Sequence, residues 1–260
     1  MEILSFPTAS FFSLLLTIMR ISMVVFMLPF FGAGSIPSPV KGALCIVMSL
    51  AVWPKLQFPG SMLPQDTLGL VLMFAGELVL GLVLDIIIRF LFAAVMIGGH
   101  FIGFAMGFSM MNVLDPTTGT SESVTSLVLY QSTVLIFLTM NGHLLLLQGL
   151  AESFTLVPPG GLFITPQLGE SILRFSAQMF ALGARISAPI LASLFLVDLA
   201  LALISRAAPQ MNVLMLGFPI KITVGFLFMT LVLTALSHFV GDYLIDLGPM
   251  FTAAMTAGPK

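Results

Sequence analysis

Long runs of apolar residues, separated by short stretches rich in proline, glycine and polar residues, dominate this chain. A helix that crosses a membrane needs about 20 consecutive, mostly apolar residues. By that criterion the sequence predicts five spanning helices, at residues 10–31, 68–104, 124–150, 172–205 and 213–240. A sixth apolar run, at 42–53, is too short to span a bilayer before Pro54 stops it.

The second and fourth of these runs exceed one bilayer thickness and contain interrupting residues. The second holds three charged residues and a pair of glycines, and the fourth holds Arg185, Pro189 and Asp198. Each is therefore expected to be either one bent helix or a tight hairpin of two helices. No internal repeat or long linker is evident. The sequence thus predicts one all-α domain over residues 1–260, made of membrane-type helices with breaks and hairpins.

Composition supports a membrane protein and excludes several kinds of binding site. Hydrophobic residues make up 58% of the chain and charged residues 8%, whereas soluble domains carry about 25% charged residues. Apolar surface on this scale has to be covered by lipid or by other proteins. The net charge of -2 gives no basic surface for a nucleic acid. The single cysteine, Cys45, excludes a disulfide within the chain and a multi-cysteine metal site.

The first apolar run is expected to remain as an anchor helix. Met1-Glu2 supplies no basic region, and no small-residue cleavage pattern follows the run, so it does not resemble a removable signal peptide. Arg20 lies in its middle. An arginine at that depth costs about 2.5–3.5 kcal/mol on insertion scales. We therefore expect Arg20 to face protein or a wet cavity rather than lipid.

Further charged residues lie within or beside the apolar runs. Asp85 and Arg89 are four positions apart and can pair on one helix face, and Glu170 and Arg174 repeat that spacing. Other charges have no partner nearby in the sequence and need one from another helix or chain. We interpret the set as inter-helix or inter-subunit ion-pairing residues, the alternative being a proton or ion pathway. The residues are Arg20, Glu77, Asp85, Arg89, Arg185, Asp198, Arg206 and Lys221.

The connection between the second and third long runs combines thioethers with hydroxyls, a proline and a glycine. Met106, Met110 and Met111 are flexible side chains that fill irregular gaps and can release them. Asp115-Pro116 starts a turn. The cluster is either ordinary core or a deformable seal, and its place beside a loop favours the seal.

Glycines precede this connection and serines follow it. Gly99, Gly103 and Gly107 recur at every fourth position, so they are expected to share one helix face and to let another backbone approach closely. That face either packs an ordinary helix or receives the connection itself or a neighbouring subunit. Ser121 or Ser123 can cap the helix that follows.

The polar residues show no catalytic or metal-binding pattern. The three histidines are far apart and lack metal-ligand spacing. Asn141-Gly142-His143 predicts a helix interruption in which two side chains satisfy open backbone groups. No nucleophile elbow, zinc-protease helix or phosphate loop is present in the sequence. We therefore expect no enzymatic activity, no cofactor and no metal site.

Several short motifs follow one another in a specific order along the chain. They are Arg20 with Pro29-Phe30-Phe31-Gly32, Ile36-Pro37, Val40-Lys41, Ile102-Gly103, Met106-Gly107-Phe108-Ser109, Asp115-Pro116, Phe137-Leu138, Asn141-Gly142-His143, Pro158, Gly160-Gly161, Arg206, Ala208-Pro209-Gln210, Gly217-Phe218-Pro219 and Gly225. Over nearly its whole length the chain resembles the FliR family, the R subunit of the flagellar type III export gate. Two of these motifs, at 141–143 and 217–219, fit the flagellar branch better than the homologous subunit of virulence-associated needle systems.

The resemblance implies an assembly. One copy of the subunit is expected to combine with several P and Q subunits in a short helical, cone-shaped gate, with the B subunit and the large export-gate A subunit nearby. The expected location is the bacterial inner membrane at the flagellar basal body. The resemblance also places residues 104–123, here named the closing segment, at a central pore that they help to plug. The matching positions are Phe104, Met106, Phe108, Met110, Met111, Asp115 and Pro116.

The expected function is therefore non-enzymatic: to line and close a channel for unfolded flagellar proteins, in contact with membrane lipid and not with nucleic acid. The chain departs from the family at His100 and Ala105, where relatives often carry an acid and a polar amide. The alternative is a secondary transporter for a small solute that uses Glu77, Asp85 and Asp198 as coupling carboxylates.

Overall fold

The described parts of the chain are helices joined by short connections. The computed structural model describes residues 8–27, 37–53, 66–108, 123–158 and 165–256. Those ranges contain seven helices and no strand, which confirms the all-α class. In chain order the helices are α1 (Thr8–Met27), α2 (Ser38–Val52), α3 (Thr67–Met106), α4 (Val124–Thr139), α5 (Gly142–Leu156), α6 (Pro166–Ala207) and α7 (Val213–Thr256).

Helices α3 and α6 are each continuous, at 40 and 42 residues, so neither long run is a hairpin. Pro189 lies inside α6. It has no N–H to donate to the carbonyl of Arg185, four residues earlier. The helix nevertheless continues, because Ile186, Ile190 and Leu194 form one buried stripe across the proline. Packing of that stripe outweighs one lost hydrogen bond.

The run predicted at 124–150 is two helices. α4 and α5 meet at an angle of 67°, and Asn141 between them adopts a left-handed conformation with φ of 59°. The predicted interruption is therefore confirmed, but the predicted capping is wrong. The Asn141 side chain makes no capping hydrogen bond, and among the described residues Nδ1 of His143 has no partner. Instead, the backbone carbonyl of Asn141 accepts from the N–H groups of Leu144 and Leu145.

Two other helix boundaries differ from the predicted ones. α7 continues past residue 240 to Thr256, because Leu244, Leu247 and Phe251 are buried and extend the helical period. Two acidic residues break the apolar run there without ending the helix. α2 begins at Ser38, inside a stretch that sequence alone marks as a connection, since prolines are tolerated in the first turn of a helix.

Three helices are long and apolar enough to cross a membrane: α3, α6 and the Met215–Thr256 part of α7. The bent pair α4 and α5 makes a fourth if it counts as one span. The described apolar part of α1, Ser10–Phe26, is shorter than these, as is α2. The structure thus supports three or four of the five predicted spans.

Contacts group the chain into two compact units. The first comprises Met1–Arg89, Asn141–Phe175 and Leu244–Lys260, and the second comprises Phe90–Met140 and Ser176–Tyr243. In the first, α1 packs against α2, and Leu16, Ile21 and Leu80 are buried. In the second, the ring of Phe92 lies 5.8 Å from that of Tyr130 and 5.5 Å from that of Phe137. That a single domain covers the chain stays a prediction.

Candidate functional site

The last turn of α3 contains the first three residues of the closing segment. Gly107 has a φ of 91°, in the left-handed region that favours glycine. Its N–H donates to the carbonyl of Phe104 (3.0 Å), and the N–H of Phe108 donates to the carbonyl of Gly103 (3.0 Å). These two bonds form a Schellman motif, a common helix ending. Gly107 therefore ends α3 and does not extend the predicted glycine face.

Met106, the last residue of α3, is fully buried against α7. A Cβ atom at Gly225 would lie 2.7 Å from the Sδ atom of Met106, so that position has room for glycine only unless the thioether moves. One residue on, a Cβ atom at Gly107 would lie 2.6 Å from Cε1 of Phe218. The start of the closing segment is thus held against α7 at two adjacent residues.

The other predicted pore residues lie in three situations. The side chain of Phe104 is 74% exposed. The ring of Phe108 lies 6.4 Å from that of Phe226 in α7. The remaining positions lie outside the described residues: Met110, Met111, Asp115 and Pro116.

The end of the closing segment is fixed to α3 by hydroxyl groups. Of the two predicted capping residues, Ser123 is the one that caps α4, and its Oγ accepts a hydrogen bond from the N–H of Ser126 (3.2 Å). Oγ1 of Thr125 donates to the carbonyl of Gly99 (2.7 Å), and Oγ of Ser126 donates to that of Met96 (3.3 Å). Helix carbonyls already bonded within α3 therefore take a second donor from α4.

Gly99 and Gly103 make this close approach possible. A Cβ atom at Gly103 would lie 2.7 Å from Cβ of Ser123 and from Oγ1 of Thr125. At Gly99 the nearest atoms would belong to the backbone of Ser126. Small residues permit such contact between helices. The predicted close approach is confirmed for these two glycines, and the group that occupies their face is the N-terminal turn of α4.

Arg20 is buried in the first unit with every nitrogen engaged. Its Nε donates to Oε2 of Glu77 (2.5 Å) and its Nη2 to Oε1 (2.9 Å), which makes the ion pair bidentate. Its Nη1 donates to the carbonyls of Ser153 and Val157, each at 3.1 Å. The ring of Phe154 lies 4.3 Å from its Cζ. The prediction that Arg20 faces protein is confirmed.

The two predicted i,i+4 ion pairs have different outcomes. Nε of Arg89 lies 2.5 Å from Oδ2 of Asp85, as predicted. Among the described residues Oδ1 of Asp85 is buried without a hydrogen-bond partner. Glu170 and Arg174 form no ion pair with each other or with other described residues. Both are exposed near the start of α6, where such a pair gains only about 0.3–0.5 kcal/mol.

Asp198 of α6 and Lys221 of α7 form an ion pair, so these two residues find partners on different helices, as their isolation in the sequence predicted. They stand at an apolar cleft of about 300 Å³ in the second unit. The other lining residues are Leu201, Ala202, Ser205, Val213, Gly217 and Phe218.

Arg185 and Arg206 are both exposed on α6 and pair with no described carboxylate. Arg206 lies in the last turn, where a cation favours the helix dipole. Arg185 lies near the middle of the helix, where no such compensation exists.

Sequence reasoning missed the groups that complete these contacts. The acceptors at Ser153 and Val157 are backbone carbonyls, which carry no sequence signal. Gly225 stood in a family motif, but nothing in the sequence paired it with Met106. No group of three or more His, Cys, Asp or Glu residues capable of holding a metal ion occurs within the described ranges.

Known proteins are similar to this chain over most of its length. The family described as bacterial export proteins, family 1, matches residues 11–246. The chain is 38% identical over 218 residues to the flagellar biosynthetic protein FliR of Bacillus subtilis (strain 168), which covers 82% of this chain and 83% of that protein. It is 28% identical over 222 residues to FliR of Escherichia coli (strain K12), with 85% and 84% covered.

A relative from a different system is also similar. The Yop proteins translocation protein T of Yersinia pestis is 30% identical over 190 residues, which covers 71% of this chain and 72% of that protein. From the matched length and these identities, the chain belongs to the bacterial export proteins, family 1, and within it to the FliR family.

Proposed function

We propose that this chain is a non-enzymatic subunit of the type III protein export gate of the bacterial flagellum. It lines part of the channel for unfolded flagellar proteins and helps to close that channel at rest. Family membership supports the proposal, as do the names of the relatives, which describe flagellar biosynthesis in one system and translocation of Yop proteins in another. Energy and substrate choice come from other components.

The observation that carries the proposal is the large uncovered apolar surface of α6 and α7. In the most apolar part of each helix only 22% of the residues are buried, against 61% for α3. Large exposed side chains on both helices include Phe195, Leu196, Met215, Leu227 and Leu231. Such contiguous apolar surface marks contact with lipid or with other proteins. Both a lipid-facing helix and a subunit of a helical assembly have such surface, and family membership favours the assembly.

The geometry at the closing segment supports a plug. Its first turn is held to α7 through Met106, and its last residue, Ser123, lies against Gly103 near the end of α3. Both ends of the intervening residues 109–122 are therefore fixed close to one another. A segment anchored in this way can leave a pore and return to it without disturbing the helices. Thioethers adapt to a passing chain, and an apolar constriction excludes water and ions.

The proposed neighbours are the P and Q subunits, with the B subunit and the large A subunit of the export gate beside them. The proposed location is the inner membrane at the flagellar basal body. In this arrangement Met106 and Phe108 anchor the closing segment. The seal itself comes from Phe104, Met110, Met111, Asp115 and Pro116.

The transporter alternative gains no support from the carboxylates it requires. Glu77 is engaged with Arg20, Asp85 with Arg89, and Asp198 with Lys221. A coupling carboxylate has to exchange its proton or ion during each cycle, whereas these three are held by three different cations.

A complementation experiment tests the function. The chain is expressed with an affinity tag in a flagellated bacterium that lacks its own FliR. We expect restored motility, restored secretion of hook and filament proteins, and co-purification of the P and Q subunits. An empty vector is the control. A chain that reaches the membrane but purifies alone, and restores neither secretion nor motility, contradicts the proposal.

A further inference from the structure

The exposed face of α6 around Arg185 has an unusual composition for an apolar helix. Six exposed residues form it, and we name them the Arg185 face: Gln178, Ala181, Ala184, Arg185, Ala188 and Ala192. Four are alanines spaced three or four apart, so they form one shallow strip along the helix. Large apolar side chains are exposed on either side along the same helix, at Phe180 and Phe195. The strip is therefore a notch with one cation in it.

The charge in this notch is not compensated by the described chain. Three ion pairs occur among the described residues, and they use Arg20, Arg89 and Lys221. Short alanines beside Arg185 cannot cover its guanidinium. Because α6 is otherwise apolar and long enough to span a membrane, the surroundings of Arg185 decide what can lie against this face.

Lipid is a poor occupant of the notch. A guanidinium near the middle of a spanning helix costs about 2.5–3.5 kcal/mol on insertion scales. Water is also a poor occupant, because it solvates the guanidinium but leaves the neighbouring phenylalanines and leucines exposed to water. A protein helix that carries a carboxylate both pairs with the guanidinium and keeps the neighbouring apolar side chains away from water. Small residues allow its backbone to come close, and a carboxylate can accept two parallel hydrogen bonds from the guanidinium.

We propose that the Arg185 face is the docking surface for a helix of another export-gate subunit, and that this helix carries one Asp or Glu that pairs with Arg185. The proposal rests on the proposed function, because it takes the chain to be one subunit of a hetero-oligomer. The ion pair fixes which helix docks and at what height. Because a buried ion pair by itself adds little net stability, we expect contact along the alanine strip to supply most of the free energy of association.

Charge reversal tests the pair. The gate complex is purified through a tag on this chain in its Arg185→Glu, Arg185→Lys and Arg174→Glu forms, and the partner subunits are quantified. We expect Arg185→Glu to lower their recovery about tenfold and Arg185→Lys to lower it less. Arg174→Glu is the matched control and should leave recovery near that of the wild type, because Arg174 is exposed near the start of α6.

Crosslinking identifies the occupant. A photoreactive amino acid at Ala188 should yield one main adduct with a partner subunit, next to an Asp or Glu. Replacing that acid with Arg should restore assembly of Arg185→Glu. Three results overturn the proposal: unchanged recovery of Arg185→Glu, adducts with lipid only, or an adduct within this chain that places Glu2, Asp115 or Glu122 beside Arg185.

Failure of this inference can be told apart from failure of the proposed function. If the wild-type chain co-purifies with the P and Q subunits and Arg185→Glu does so equally, only the docking surface is wrong. If the wild-type chain purifies without any export-gate subunit, the proposed function is wrong as well. Equal amounts of each variant in the membrane fraction show that the comparison reports on assembly and not on synthesis.

Discussion

At the scale of single residues, the Arg20 cluster shows how a buried charge becomes a structural contact. Two other helices of the first unit supply its partners: the carboxylate of Glu77 in α3, and carbonyls at Ser153 and Val157 at the end of α5. Such a pair adds little stability compared with apolar residues of the same size, but loss of one member leaves the other charged, buried and unpaired.

Neutralising Glu77 should therefore destabilise the protein strongly. We expect Glu77→Gln to lower the free energy of unfolding by about 3–5 kcal/mol, measured by thermal unfolding of the detergent-solubilised complex. Replacing both Arg20 and Glu77 with Met should restore part of the loss. Glu152→Gln is the control, because Glu152 is exposed and its carboxylate accepts a hydrogen bond from the uncharged, exposed side chain of Gln148. Equal melting of Glu77→Gln and the control would refute the role given to this pair.

Gly225 permits a second residue-scale prediction. Gly225→Val should push Met106 away from α7 and loosen the start of the closing segment. We expect a severalfold increase in ion conductance of the purified gate complex in planar bilayers, with assembly retained. Gly169→Val in α6 is the control, since apart from its chain neighbours and its own helix backbone no atom lies within 4 Å of a Cβ built at Gly169. A conductance equal to that of the control would show that Met106 does not hold the segment.

At the scale of elements, removing part of the closing segment should abolish closure of the gate while its assembly is retained. Deleting residues 110–118 leaves both anchors in place, namely Met106 against Gly225 and Ser123 against Gly103. We expect P and Q subunits to co-purify at wild-type levels while the resting gate leaks ions. Substituting the same nine positions with a glycine-serine stretch of equal length tests whether side chains or mere length make the seal. An intact gate with unchanged conductance would reject the plug.

Element types were predictable from the sequence, and several boundaries were not. Apolar runs identified α3 and α6, but only packing shows that the stripe of Ile186 and Ile190 keeps α6 continuous across Pro189. The bend at Asn141 was predicted from its sequence, while its source proved to be a left-handed backbone and not side-chain capping. The apolar content of a stretch predicts that it forms a membrane-type helix, whereas the residues at which that helix begins and ends depend on local hydrogen bonds.

The candidate site was predictable to a similar extent. The four-residue spacing of Gly99 and Gly103 correctly predicted a close approach. It could not reveal that Gly107 ends the helix, because that depends on the sign of one φ angle. The partner of Arg20 was unpredictable from spacing, since Glu77 is 57 residues away in the chain.

At the scale of the whole molecule, burial leaves much of α6 and α7 to be covered by lipid or by other components of the export apparatus that family membership implies. Membership of the FliR family and the exposed apolar surfaces of α6 and α7 agree in this respect. Sequence could establish the family through ordered motifs. It could not show which helix faces remain uncovered, because exposure is a property of the packed chain.

The positions of the hydrogen-bond acceptors of Arg20 along the chain also have a consequence for biosynthesis. The first carboxylate acceptor is made 57 residues after the arginine, and the carbonyl acceptors 133 and 137 residues after it. Between the synthesis of Arg20 and that of Val157, the nascent chain therefore carries a guanidinium that lacks at least one of its final ligands. A polypeptide cut short before Ser153 should therefore be less stable in the membrane than the full chain, because its Arg20 keeps the Glu77 carboxylate but lacks both carbonyl acceptors.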